Sequence, residues 1–226
     1  MKIYRIIKEE AQKAYPNECW GYIYPEGKIL KTFPCENLAK DKLNCVITDP
    51  RHYIKACDLG AVSFYHSHPT PPSEIHKFEQ QICNELMMSS IIYTNYLDKF
   101  DVLDPDGKIF PLEDRPFLYG VFDCWTLVRD KILLTDKRKL TNYKEPWGWW
   151  TTGGSAFLEN IEKEGYRETN ELKDGNVILM NWKCDIPNHI GYYEGGRVLH
   201  HYLGGTSRWD DLGAIQKYFY KMYSFS

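Results

Sequence analysis

No C-x-x-C pair occurs in this chain, although it holds seven cysteines. The odd count and scattered spacing argue against a disulfide framework and for free thiols in a reducing compartment. Most of those thiols are expected to act as small buried hydrophobes. No apolar run approaches the ~20 residues of a membrane span, which excludes membrane insertion. Basic residues are not in excess. Lys and Arg number 28 against 31 Asp and Glu, a net charge of −3, so there is no nucleic-acid footprint. No internal repeat is visible. The opening "MKIYRIIKEEAQKAY" mixes acidic residues with amphipathic spacing and does not read as a signal peptide.

What the chain does have is histidine in two groups. His66, His68 and His76 form one, and His189, His200 and His201 the other, with His52 alone. Groups this far apart in 226 residues suggest two sites and two domains. Composition is that of an ordinary globular protein, 43% apolar and 26% charged.

The pattern along the chain is mixed α and β. Residues 3–15 carry a helical stripe ended by Pro16. "CWGYIYPEGKILKTFP" reads as a hairpin and "AVSFYHSHP" as a strand running into a turn. A helix is predicted from Ser73, followed by the strand "SSIIYTNYL". "DPDG" and two further prolines then give strong turn chemistry. This predicts a first domain over 1–104, a linker over 105–114 and a second domain over 115–226. The second half opens with the helix "FDCWTLVRDKILL", Asp123 as its N-cap. After a second helix, "SAFLENIEKEGY", come three consecutive strands, "GNVILMNW", "HIGYYEGG" and "RVLHHYL". Helices followed by antiparallel strands make an α+β pattern.

Cys124 falls in the first turn of its helix, where the dipole and free N–H groups favour a thiolate and are expected to lower its pKa. A thiolate needs a base, and the base needs an orienting group. Adjacent strands could bring His189 and His200 side by side for those tasks. Considered alone, a cysteine at a helix start is more often inert, and a strand histidine is more often simply hydrogen-bonded.

The segments "RPFLYGVFDCWTLVRD", "LKDGNVILM" and "NHIGYYEGGRVLHHYLGGTSRWD" resemble the NlpC family of papain-like cysteine peptidases, closest to its branch in tail-tip assembly proteins of tailed phages. The resemblance implies a papain-like α+β fold, helices packed on an antiparallel sheet. It implies Cys124 as nucleophile, His189 as base and His200 as orienting third member. It further implies peptidoglycan stem peptides as substrate. His201 is set aside because strand alternation turns it to the other face. One departure is Phe117, where cell-wall members usually carry a tyrosine.

His66 and His68 lie two apart at a strand end, where Pro69 can bend the chain. Two imidazoles suit zinc, a third protein ligand must follow, and a general base serves the metal-bound water. "PNECWGYIY", "VSFYHSHP" and "PSEIHKFE" are similar to JAMM metalloproteases over roughly residues 1–100. This implies an α/β domain with a mixed sheet and flanking helices, and zinc held by His66 and His68. Glu18 would be its acid–base and Ser73 the motif serine. His76 stands where the family has aspartate, as third ligand.

Together the two resemblances imply a phage tail-tip assembly protein with cell-wall endopeptidase activity. Its partners would be peptidoglycan peptides and other tail-tip proteins. It would be made in the host cytoplasm and placed at the virion tail tip or in a tail assembly intermediate. Two alternatives stand beside this. One is a non-catalytic assembly protein with remnant sites, the other a zinc isopeptidase that processes another tail protein.

Overall fold

The computed structural model describes residues 2–70, 77–143 and 145–226. The chain divides into two compact units, Met1–Ile109 and Phe110–Ser226. Each contains its own sheet.

In the first unit, helix α1 (Lys2–Ala14) precedes the hairpin of β1 (Trp20–Glu26) and β2 (Ile29–Cys35). Helix α2 (Pro50–Asp58), strand β3 (Ser63–His68), helix α3 (Lys77–Leu86) and strands β4 (Ser89–Thr94) and β5 (Lys99–Leu103) follow. The sheet order is β2-β1-β3-β4-β5, with β3 and β4 parallel and the other pairs antiparallel. Ile7 and Ala11 of α1 bury against Ile23, Tyr65 and Tyr93 on one face. Strand alternation sends Trp20, Phe64 and His66 to the other. Gly21 lies opposite Tyr65, and a Cβ there would sit 2.3 Å from the Tyr65 Oη. Only glycine lets the Tyr65 side chain cross to its bond with Glu10.

Helix α2 and strand β5 were not expected from the sequence. Helix α2 is nonetheless well signalled. Asp49 caps it by accepting from the Arg51 N–H, and Pro50 occupies its first turn. The expected start of a helix at Ser73 lies outside the described residues, as does His76.

The second unit holds α4 (Cys124–Asp136), α5 (Ala156–Ile161), β6 (Tyr166–Glu168), β7 (Val177–Met180), β8 (His189–Glu194), β9 (Arg197–His200), β10 (Arg208–Asp211), α6 (Leu212–Ile215) and β11 (Phe219–Phe225). Its six-stranded sheet runs β10-β9-β8-β7-β11-β6 and is antiparallel throughout. Strand β7 is buried on both faces. Val177 and Leu179 pack with Leu127, Val128 and Ile132 of α4, whereas Ile178 and Met180 pack with Val198 and Ile215. This explains its uninterrupted "VILM". Arg115 is fully buried and pairs with Asp130 at 2.6 Å. Its remaining donors go to the carbonyls of Pro111 and Phe110.

Candidate functional site

Cys124 is the first residue of α4 and keeps partial exposure. A capping box fixes that helix start. The Asp123 carboxylate accepts from the Thr126 N–H, and the Thr126 hydroxyl accepts from the Asp123 N–H. Asp123 also accepts from the Gly120 N–H, which ties the preceding turn to the cap. The backbone N–H of Ile190, the residue after His189, favours the Cys124 thiolate.

Here the sequence expectation is corrected. Burial pushes the Cys124 thiol up, and the neighbouring Asp123 charge adds to this. The N–H groups of Ile190, Trp125 and Cys124 pull the other way and do not prevail. The helix start is present, but desolvation outweighs its dipole.

His189 opens β8 and His200 closes β9. In the register of this pair Gly191 faces His200, so His189 lies on the diagonal. Period-two alternation puts all three on one face. His189 Nε2 and His200 Nδ1 are 2.9 Å apart. Gly191 is required between them, since a Cβ would stand 2.4 Å from Val198 Cγ1 and 3.2 Å from the Leu199 carbonyl. Burial drives His189 well below the ordinary histidine value, helped by His200 and His201. Burial also lowers His200, against the opposing pull of Asp210. Both rings are therefore neutral near pH 7. The Trp182 indole walls the site, its ring centroid 5.4 Å from that of His189 and 4.1 Å from that of Tyr218.

His201 does stand apart from this group. Its ring meets Phe117 edge-on at 5.3 Å. Phe117 thus packs on His201 at the position where a tyrosine was expected.

Asp210 was not anticipated. Its Oδ2 is 3.1 Å from His200 Nε2. The short strand β10, with Trp209 between two charged residues, carries little strand signal of its own. The available clue was the acidic "RWDD" shortly after the histidine pair.

In the first unit, β1 and β3 pair with Trp20 opposite His66. This brings Glu18, just before β1, near the end of β3. His66 Nε2 and His68 Nε2 are 3.1 Å apart, and Glu79 Oε1 lies 2.6 Å and 3.0 Å from them. Among the described residues, these three form a set of donors able to hold a metal ion. Glu79 was not among the expected ligands, and His76, which was expected as the third, lies three residues before it in the sequence and outside the described residues. Burial alone would raise the Glu79 carboxyl, but the two histidines bring it down to about 2. Burial raises Glu18 to about 7, with His68 opposing and the charges of Glu79 and Asp41 adding.

Residues 114–223 match the NlpC/P60 family. Over 213 residues the chain is 30% identical to Tail tip assembly protein K of Escherichia phage N15, covering 89% of this chain and 85% of that protein. It is 34% identical over 93 residues to Tail tip assembly protein K of Escherichia phage lambda, which covers 40% of this chain and 46% of that one. The chain belongs to the family of these tail tip assembly proteins, with an NlpC/P60 domain as its second unit. The solution structure of protein DSY2949 from Desulfitobacterium hafniense overlaps 45% of this chain and 77% of its own, at a TM-score of 0.36 and 21% identity.

Proposed function

We propose that this is a phage tail-tip assembly protein whose second unit is a cysteine endopeptidase of cell-wall stem peptides. The observation that carries this reading is the 2.9 Å bond between His189 and His200 on the paired strands β8 and β9. Neutral His189 takes the thiol proton as Cys124 attacks a peptide carbonyl. The burial that raises the resting thiol makes this transfer part of the chemical step. The N–H groups at the start of α4 stabilise the tetrahedral oxyanion. His189 then protonates the leaving amine, and water hydrolyses the thioester. His200 orients His189 throughout. The protein would meet peptidoglycan peptides and other tail-tip proteins at the virion tail. Among the described residues, no helix is long and apolar enough to cross a membrane.

The test is release of soluble peptide from purified muropeptides. Wild type should release it and Cys124→Ala should not, with thermal unfolding unchanged. An equal rate in both proteins would overturn the reading in favour of a non-catalytic assembly role.

A second reading concerns the first unit. The donors of His66, His68 and Glu79 converge on one point, and two imidazoles with one carboxylate suit zinc. We propose that these residues hold zinc in a JAMM-like site. When bound, the ion supplies Lewis acidity to a water and a carbonyl. Glu18, poised at about 7, can hold or release a proton beside it. Such a site would suit an isopeptidase that processes another tail protein.

A further inference from the structure

We infer that Asp210 is a positioning residue of the second unit's site, setting through His200 which nitrogen of His189 is free to act as base. The inference rests on the cysteine peptidase reading above for its functional meaning, though its structural content can be tested without it.

Begin with the protons. His189 and His200 are both held neutral, so each has one ring N–H to place. Their shared contact, His189 Nε2 to His200 Nδ1 at 2.9 Å, can run in either direction. In one direction His189 donates from Nε2, and its Nδ1 keeps a lone pair. In the other His200 donates from Nδ1, and His189 must carry its proton on Nδ1. Only the first leaves His189 a basic nitrogen away from His200. Two histidines alone do not choose between these states.

Asp210 makes the choice. A carboxylate only accepts, so at 3.1 Å from its Oδ2 the His200 Nε2 must carry the hydrogen. His200 Nδ1 is then an acceptor, His189 Nε2 a donor, and His189 Nδ1 the free base. The order is Asp210 to His200 to His189, each bond dictating the next.

The carboxylate is itself held. Arg208 Nε donates to Oδ1 at 3.0 Å and Arg208 Nη2 to Oδ2 at 3.1 Å. The Tyr202 hydroxyl donates to Oδ2 at 3.2 Å. In the β9–β10 register Arg208 faces His200, which places Asp210 on the diagonal and on the same face. The guanidinium also lies over the Tyr202 ring, 4.5 Å from its centroid. When His189 becomes an imidazolium during the reaction, Asp210 is the nearby countercharge, acting through the neutral His200.

The experiment reads the histidine tautomers directly, by two-bond nitrogen–proton correlation on nitrogen-15-labelled full-length protein. In wild type, both His189 and His200 should be protonated on Nε2. In Asp210→Ala, and in Asp210→Asn should the alanine variant fold poorly, the Nδ1-protonated form of His189 should become populated. Unchanged tautomers in a folded variant would overturn the inference. Kinetics give the second readout. On muropeptide substrate kcat should fall about 100-fold with KM little changed, whereas a merely structural residue would leave kcat intact. A wild-type protein that releases no peptide, yet whose His189 tautomer shifts on loss of Asp210, would sink the peptidase reading and leave this one standing.

Discussion

Glu79 meets His66 at 2.6 Å, on the first turn of α3, and shares the same oxygen with His68. Loss of that carboxylate charge should therefore weaken zinc binding by about tenfold or more. His76→Ala should leave zinc content close to that of wild type. Elemental analysis after dialysis checks both variants, and full zinc retention by Glu79→Gln would remove it from the ligand set.

Cys124 should react with iodoacetamide like a protonated thiol in the resting protein. Its raised pKa means that the thiolate fraction, and hence the alkylation rate, keeps climbing with pH beyond the ordinary thiol range. Mass spectrometry of the Cys124 peptide over a pH series measures this. A rate already flat at pH 7 would show that the helix dipole prevails over burial after all.

Gly191→Ala should destabilise the second unit by about 1–3 kcal/mol, the usual cost of overpacking. The added methyl meets Val198 Cγ1, and also a backbone carbonyl that cannot swing aside. Val198→Ala in the same chain should recover part of the loss by removing the nearer obstacle. Urea unfolding followed by tryptophan fluorescence reports this, because six of the seven tryptophans lie in that unit.

The second unit should lose stability in mild acid. Burial lowers His201 to about 4, so below about pH 6.5 the unfolded chain takes up a proton that the folded chain refuses. Stability present above 6.5 is thus lost as pH falls toward 4, by about 3 kcal/mol for this group alone. His189 and His200 act in the same direction. His201→Leu should flatten the slope of urea midpoint against pH. An unchanged slope would assign the acid sensitivity elsewhere.

The sequence carried much of this arrangement. The expected strands "GNVILMNW", "HIGYYEGG" and "RVLHHYL" contain β7, β8 and β9, and Cys124 does start a helix. Elements held by distant partners were less legible. Strand β11 sits between β7 and β6, a placement set by pairing across the sheet. Burial of Cys124 was invisible for the same reason, since a helix dipole is local and desolvation is not. Glu79 and Asp210 went unread because each meets its histidine partners, two for Glu79 and one for Asp210, on another element. Neither stands in a spacing that announces it.

The hairpin joining β8 to β9 turns on Gly195 and Gly196 alone, both with positive φ. A single residue inserted in that turn would leave every side chain of the site in place in the sequence. It would have to be absorbed in the turn as a longer loop or a bulge, because a slip of one residue along β9 would carry His200 to the opposite face of the sheet, away from His189 and Asp210 alike. Register between β8 and β9 is therefore as much a part of this site as the histidines themselves.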